Sequence, residues 1–198
     1  PDRVSVCAMD RATDRELLPL RLLESDLERT LFAVELKKAT TTTTSVGRLF
    51  DGVAALLGVC RKATYSGQAP QMLEAIADSA HSYEPLPFRL DSSADGIEVD
   101  WRPTWQALVD LRQEVTAGIL AARWHHTLVA IILKMAERLG TSQLVLGGGV
   151  FANRTLLTTL LQQARYREIA VAFPQGFPAG DGGLAIGQLG FAAWSMEG

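Results

Sequence analysis

The stretch Leu144–Leu161 reads LVLGGGVFANRTLLTTLL, and the fold of the chain is decided here. Its first three residues are apolar and predict a buried strand, whereas leucines at helical spacing from Leu156 onward predict a helix. Gly147, Gly148 and Gly149 lie between the two. A glycine turn at a helix start lets backbone N–H groups approach an anion, because no Cβ blocks them and the helix dipole favours negative charge. Such a pattern alone is more often a tight turn than a nucleotide site.

A second glycine turn follows the next predicted strand. Residues 169–173 predict that strand, and Asp181-Gly182-Gly183 opens a helix rich in small residues. From residue 117 onward the predicted order is helix, strand, helix, strand, helix, which is typical of an open α/β lobe with ligands at the carboxyl ends of the strands. Both glycine turns occupy such ends, so we expect them to share a pocket.

Two side chains near these turns are candidates for binding. Asn153 is expected in the first helical turn, where its amide can cap the helix or reach a ligand. Asp181 lies between glycines at a junction of loop and helix, so its carboxylate can ligate a metal or hold a magnesium nucleotide. The more common interpretation of Asp181 is an N-cap residue that satisfies N–H groups of the helix it opens.

Helices are predicted upstream of this lobe. Apolar residues at helical spacing predict one helix over residues 22–36, a second over 47–59 after a capping Ser45, and a third from Gln68 to about Ala80. Asp51 is expected on the solvent face of the second helix, although near a pocket it could bind hydroxyl groups. Leu73, Ile76 and Ala77 are expected to face inward in the third helix, with Glu74 beside them.

A β-hairpin and a long helix complete the predicted elements. The threonine run Thr40–Thr44 is interpreted as an extended link. The pair Asp95-Gly96 predicts a hairpin whose strands include residues 88–90 and 97–101. A helix then begins near Trp105, and the longest one runs from Thr116 to Leu139.

Composition and cysteine use exclude several classes of protein. The 198-residue chain has a net charge of −3, so no strong basic field favours nucleic acid. Cys7 and Cys60 form no CxxC pair, which fits a reduced, cytoplasmic setting without a cysteine zinc site. Charges interrupt the longest apolar stretches, so no membrane span is predicted. His125 and His126 are adjacent and cannot form an HxxxH metal pair; His125 is interpreted as a packed or hydrogen-bonded helix residue.

Five segments, in the same order and spacing, resemble the C-terminal part of the HypF family of carbamoyltransferases, which act in nickel–iron hydrogenase maturation. They are TTSVGRLFDGVAALLGV, YSGQAPQMLEAIA, RWHHTLVAIILKMAERLG, LVLGGGVFANRTLLTTL and FPAGDGGLAIGQ. The resemblance covers roughly residues 40–195. The set is specific when taken jointly, and no single segment is.

The resemblance implies an α/β fold, namely the second lobe of an actin-like/Hsp70/sugar-kinase (ribonuclease H-like) fold, with a helical subdomain and a β-hairpin. The matching part of the family is its Kae1-like domain. Residues 1–39 would be a variable helical lead-in, 40–115 the helical part and hairpin, and 116–198 the α/β nucleotide-binding lobe.

The resemblance also implies an activity. The family makes a carbamoyl-adenylate from carbamoyl phosphate and ATP, and passes the carbamoyl group to the C-terminal cysteine of the protein HypE. By this resemblance, one set of residues would bind the adenylate: Gly147, Gly148, Gly149 and Asn153 against the nucleotide, and Asp51, Gly67 and Glu74 towards its ribose or base. No catalytic residue is assigned.

A divalent metal, iron or zinc, is also implied, with Asp181 as one ligand. The two histidines that complete the family's metal site belong to the first lobe of the Kae1-like domain, which this chain lacks. We therefore expect this chain alone to be inactive and to work as part of a longer protein.

Two alternatives stay open. The chain could be a relative of the tRNA threonylcarbamoyl transferases, although the GQAPQMLE segment and the acidic net charge count against it. It could also be a non-catalytic nucleotide-binding module. A gene that continues upstream into an HxxxH segment and a CxxC set would favour the carbamoyltransferase, and one that starts near Pro1 would favour the module.

Overall fold

The computed structural model describes residues 44–79, 83–93 and 96–197. The predicted helix over residues 22–36 and most of the threonine run lie outside these ranges. The elements in chain order are α1 (Val46–Leu56), α2 (Gln68–Ile76), β1 (Arg89–Ser93), β2 (Gly96–Asp100), α3 (Arg102–Leu111), α4 (Ala117–Leu139), β3 (Gln143–Val145), α5 (Arg154–Tyr166), β4 (Ala170–Ala172) and α6 (Leu184–Glu197). The mixed α/β class is therefore as predicted.

The chain divides after Ile131, within α4, into two compact units. The first contains α1, α2, the hairpin and α3, and the second contains β3, α5, β4 and α6. The boundaries near residues 40 and 116, which the family resemblance implies, stay predictions.

Aromatic packing around α1 forms the core of the first unit. Phe50 and Trp124 are fully buried, and their rings meet edge to face with centroids 5.7 Å apart. His125 is also fully buried and contacts Phe50 at a centroid distance of 5.4 Å. The prediction that His125 is a packed helix residue is confirmed. Gly58 follows the helix end with φ +73, a conformation that glycine adopts without strain.

Helix α2 is shorter than predicted because the chain turns away at Ala77. This residue is extended (φ −60, ψ 125), and the next N–H, of Asp78, donates to the carbonyl oxygen of Gly118 at 3.1 Å. Leu73 is fully buried as predicted, but Ile76 is 40% exposed, so its predicted inward orientation is wrong. The last turn of α2 therefore lies against the backbone at the start of α4.

The hairpin is confirmed, with β1 and β2 antiparallel in a register that runs from Arg89 opposite Asp100 to Ser93 opposite Gly96. Asp100 accepts hydrogen bonds from Arg89 and Arg102, including one from the Arg102 backbone N–H at 3.0 Å. These bonds, those from Arg102 above all, hold the pKa of Asp100 well below its usual range. They also explain why α3 begins at Arg102, earlier than predicted.

The second unit contains the predicted parallel strands. β3 pairs with β4 in a register that places Gln143 opposite Ala170 and Val145 opposite Ala172. Leu156, Leu160 and Ala164 form the buried face of α5. The predicted order of strand, helix, strand and helix after α4 is confirmed.

One helix of the described residues, Ala117–Leu139, is long and apolar enough to cross a membrane by length and composition. Of its most apolar window, 61% is buried inside the structure. A core helix passes the same test, so this is weak evidence for a membrane span, and the expected absence of one stays a prediction.

We predict that Gly118→Ala destabilises the first unit. A Cβ at this position would lie 2.8 Å from the carbonyl oxygen of Ile76, a backbone atom that cannot move alone. We expect the free energy of unfolding to fall by about 1–3 kcal/mol, as for other overpacked sites, measured by urea denaturation. Gly47→Ala in α1 is the matched control, since its Cβ would make only an ordinary contact, 3.5 Å from Ser45 Oγ. Equal stability of the two variants would contradict the close approach at Gly118.

Candidate functional site

The two glycine turns of the second unit lie in contact. Gly148, which follows β3, has φ +93, and its N–H donates to the carbonyl oxygen of Ala179 at 2.7 Å. A Cβ added to Gly180 would lie 3.0 Å from the Cα of Gly149 and 3.1 Å from its nitrogen. The loops that follow the two parallel strands are therefore joined at the carboxyl end of the sheet, where sequence analysis placed both turns.

The outer face of the first turn is open. Gly147, Gly148 and Gly149 are exposed, and a Cβ on any of them would meet no atom within 4 Å. Within the described residues, the N–H groups of Gly147, Gly149 and Val150 donate no hydrogen bond. Exposed N–H groups on a turn without side chains are the arrangement that binds phosphate and other anions.

Asn153 is the N-cap of α5. The predicted helix does not start at the glycines, because a 3₁₀ turn, Gly149–Ala152, comes first. Asn153 then accepts a hydrogen bond at its Oδ1 from the N–H of Leu156 at 2.8 Å, and it is buried. Capping, one of the two roles predicted for this side chain, is confirmed, and the ligand role stays a prediction.

Asp181 presents a carboxylate to solvent. It opens a 3₁₀ turn, Asp181–Gly183, and α6 starts only at Leu184, whose N–H is bonded to the main-chain oxygen of Asp181. The N-cap interpretation of its side chain is therefore wrong. The turn requires glycine at 183, since a Cβ there would lie 2.3 Å from the carbonyl oxygen of Pro178. The side chain of Asp181 makes no hydrogen bond or ion pair with the described part of the chain, and so it is available to a ligand.

An available carboxylate fits one position of a metal site, since divalent ions take carboxylate oxygens as ligands. The described residues contain no group of three or more histidine, cysteine, aspartate or glutamate side chains that could hold a metal ion. The role of Asp181 as a metal ligand therefore stays a prediction.

Asp51 lies in the first unit and is buried, so its predicted place on the solvent face is wrong. The reason is that α1 buries every residue from Phe50 to Leu56, on all its sides. Asp51 Oδ2 pairs with Arg48 Nη1 at 2.9 Å. Burial raises the pKa of Asp51, and the Arg48 guanidinium partly offsets that rise.

Gly67 and Glu74 lie in the same unit as Asp51. Gly67 is the N-cap of α2 with φ +86, a value that explains why glycine stands there. Glu74 is half-buried on α2, close enough to His125 for its charge to act on the ring. Burial lowers the pKa of His125, and the contact of Nδ1 with the Ala121 carbonyl oxygen at 2.7 Å and the charge of Glu74 partly offset this. The packing of His125 was predicted from sequence, but its nearness to Glu74 could not be foreseen from sequence spacing.

The predicted site residues thus fall into two groups. Asp51, Gly67 and Glu74 belong to the first unit, and the glycine turn, Asn153 and Asp181 belong to the second. Their assigned roles in binding an adenylate or a metal stay predictions.

The fold and the paired turns define the second unit as an α/β lobe with two glycine turns at the carboxyl ends of its parallel strands. A family model described as "Carbamoyltransferase, Kae1-like Domain, second subdomain" matches residues 1–188. The chain belongs to the HypF carbamoyltransferase family.

Known proteins support this membership. Carbamoyltransferase HypF of Synechocystis sp. is 34% identical over 147 residues, which cover 74% of this chain and 19% of that protein. The crystal structure of full-length HypF in the phosphate- and nucleotide-bound form matches this chain with a TM-score of 0.83 at 26% sequence identity. The match covers 100% of this chain and 32% of the chain in that structure. A tRNA N6-adenosine threonylcarbamoyltransferase of Synechococcus sp. is 30% identical over 159 residues, 76% of this chain and 42% of that protein. The chain therefore spans a fifth to two fifths of the length of these curated relatives.

We predict that Asp51→Asn flattens the dependence of stability on pH. Below about pH 3.9 the carboxyl is neutral in the folded and the unfolded chain. As the pH rises above that value the unfolded chain ionises first, since the folded pKa is raised, and the free energy of unfolding falls until the folded carboxyl ionises too. Asparagine removes this fall, which denaturation across pH 3–8 would measure.

Arg48→Gln is the control of opposite sign. It removes the guanidinium that favours the ionised carboxyl, so the fall with rising pH should become steeper than in the wild type. If the wild type and the two variants gave parallel curves of unfolding free energy against pH, Asp51 would not titrate as its burial requires.

Proposed function

We propose that this chain is the C-terminal lobe of a carbamoyltransferase that passes a carbamoyl group from carbamoyl-adenylate to the C-terminal cysteine of a HypE-type acceptor protein. Membership of the HypF family supports the transferase class. Carbamoyl phosphate and ATP would be substrates of the whole protein, which we expect to work in the cytoplasm. The chain is one part of that protein, and we expect it to be inactive alone.

The observation that carries the proposal is the contact between the two glycine turns. It places the first turn, in which the N–H groups of Gly147, Gly149 and Val150 donate no hydrogen bond within the described residues, beside the turn that carries Asp181. An adenylate has a phosphate for the N–H groups and, next to it, an acyl group that a metal can polarise. The full-length HypF that shares this fold was crystallised with phosphate and nucleotide bound.

Carbamoyl transfer requires two contributions from this lobe, stabilisation of the leaving phosphate and polarisation of the acyl phosphate. The acceptor thiol loses its proton to solvent, its sulfur forms a bond to the carbamoyl carbon, and the bond between that carbon and the phosphate oxygen breaks, releasing AMP. Negative charge develops on the leaving phosphate, where the turn N–H groups can stabilise it without reorganising. A divalent metal held in part by Asp181 would supply Lewis-acid polarisation of the acyl phosphate.

Asp51, Gly67 and Glu74 of the first unit would contribute to binding rather than to the reaction. Asp51 and Glu74 are carboxylates, which pair with ribose hydroxyls, and Gly67 allows close approach of a base to the start of α2. Asp51 already pairs with Arg48, so a ribose would have to share or replace that partner.

Threonylcarbamoyl transfer to tRNA is the second candidate, and one observation favours it: the relative from Synechococcus sp. is 30% identical. The net charge of −3 is unfavourable for binding tRNA. Assaying the full-length protein against both acceptors, a HypE-type protein and tRNA, separates the two candidates.

We predict that Asp181→Ala in the full-length protein abolishes carbamoyl transfer. The rate of transfer should fall by a factor of about 100 or more, because a metal ligand is lost. The side chain is exposed and makes no bond to the described residues, so the melting temperature should stay unchanged. The readout is the mass of the acceptor's C-terminal peptide after incubation with carbamoyl phosphate and ATP.

Asp110→Ala, an exposed aspartate on α3, is the matched control and should transfer at the wild-type rate. Transfer by Asp181→Ala at the control's rate would remove Asp181 from the site.

We predict that Asn153→Ala weakens adenine-nucleotide binding by the full-length protein and also lowers the free energy of unfolding by about 0.5–2 kcal/mol, since an N-cap is lost. Asn153→Ser restores a cap acceptor without the amide. If nucleotide affinity, measured by calorimetry, returns with serine, Asn153 acts by holding the turn; if it stays low, the amide contacts the nucleotide. Wild-type affinity in both variants would contradict the placement of the nucleotide at this turn.

A further inference from the structure

The first glycine turn has no side chains to fix its shape. Gly147, Gly148 and Gly149 follow one another, and glycine has more backbone freedom than any other residue. Gly148 has φ 93 and ψ 156, a combination that essentially only glycine adopts. N–H groups that bind a phosphate tightly must be in place beforehand, because ordering them on binding costs affinity. Another part of the chain therefore has to hold this turn.

The loop that follows β4 holds it. The Gly148 N–H donates to the carbonyl oxygen of Ala179 at 2.7 Å. Gly180 lies against the next residue of the turn, since a Cβ built on it would lie 3.0 Å from the Cα and 3.1 Å from the nitrogen of Gly149. That nitrogen carries one of the N–H groups proposed above to bind the phosphate. The position of this donor is thus set by residues of the second turn.

The supporting loop is itself folded tightly. Pro178, whose ring fixes its φ angle, precedes Ala179. The Gly183 N–H donates to the carbonyl oxygen of Gly180 at 2.8 Å, and a Cβ on Gly183 would lie 2.3 Å from the carbonyl oxygen of Pro178. A Cβ on Gly182 would lie 3.3 Å from Cβ and Cγ of Pro178. The loop therefore folds back onto Pro178, and Ala179 and Gly180 are held in place beside the first turn.

We infer that Gly180 is a positioning residue for phosphate binding, because its lack of a side chain lets the loop hold the Gly149 N–H where it can donate to the phosphate. The loop acts through its backbone, and so independently of any ion at Asp181. This inference rests on the proposed function, since it depends on phosphate binding at the first turn. It adds a residue of the second turn that sets the affinity of the first.

Gly180→Ala in the full-length protein tests the inference. Gly180 has an extended backbone (φ −107, ψ −155), so alanine acts there by displacing Gly149 by a few tenths of an ångström. AMP and adenosine are titrated separately in the presence of EDTA, and binding is measured by amide exchange of the peptide spanning residues 147–157. The wild type should bind AMP more tightly than adenosine. In Gly180→Ala the affinity for AMP should fall about tenfold, as for a lost hydrogen bond to a charged group, and the affinity for adenosine should not change.

Two variants control for other effects. Gly176→Ala changes the same loop, but its Cβ would meet no atom within 4 Å, so both affinities should equal those of the wild type. Gly118→Ala in the first unit controls for lost stability, since its Cβ would also meet a backbone atom, and it should keep the preference for AMP over adenosine. If Gly180→Ala does not fold, Gly182→Ala, whose Cβ would push against Pro178, should lower the affinity for AMP alone by a smaller factor.

The possible outcomes separate this inference from the proposed function. A wild type that binds AMP no better than adenosine would contradict the placement of the phosphate, and with it both proposals. A wild-type preference for AMP that Gly180→Ala, or Gly182→Ala in its place, retains in full would overturn the inference alone. An equal loss of affinity for AMP and adenosine would also overturn it, since Gly180 would then maintain the folded turn without positioning a donor for the phosphate.

Discussion

The contact between the two glycine turns is the constraint on which the candidate site depends. The Gly148 N–H donates to Ala179, and Gly180 lies against the backbone of Gly149 at a distance that leaves no room for a side chain. Because each turn follows a parallel strand, pairing of β3 with β4 brings the turns to the same edge of the sheet. The backbone groups that could bind phosphate are thereby held in place by other backbone groups, without reliance on flexible side chains.

Asp181 of the second unit and Asp51 of the first unit differ in exposure and in pairing, and these differences fit different roles. Asp181 is exposed and makes no bond to the described residues, so it can bind an ion at little cost. Asp51 is buried and paired with Arg48, so it is held in one position and its ionisation depends on its surroundings. Buried groups of raised pKa are common at binding sites and also occur in purely structural pairs. The proposed binding role of Asp51 stays a prediction.

Local patterns predicted the elements well where one physical rule acted alone. The glycine run after an apolar strand, the Asp95-Gly96 hairpin and the long helix ending near Leu139 were all predicted from sequence. Predictions failed where a neighbour distant in sequence decided the outcome. Periodicity could not show that α1 is covered on all sides and so buries Asp51, nor that α2 ends early against Gly118. The need for glycine at position 180 likewise comes from the other turn, at Gly149, whereas the need at position 183 comes from Pro178 in the same loop.

The central claim is that the paired turns bind the phosphate of an adenylate. The most direct measurement is amide exchange of the full-length protein with and without a non-hydrolysable acyl-adenylate analogue. We expect slower exchange at Gly147, Gly149 and Val150 when the analogue is bound, since their N–H groups would then donate to its phosphate. Binding of the analogue with unchanged exchange at these three amides would contradict it.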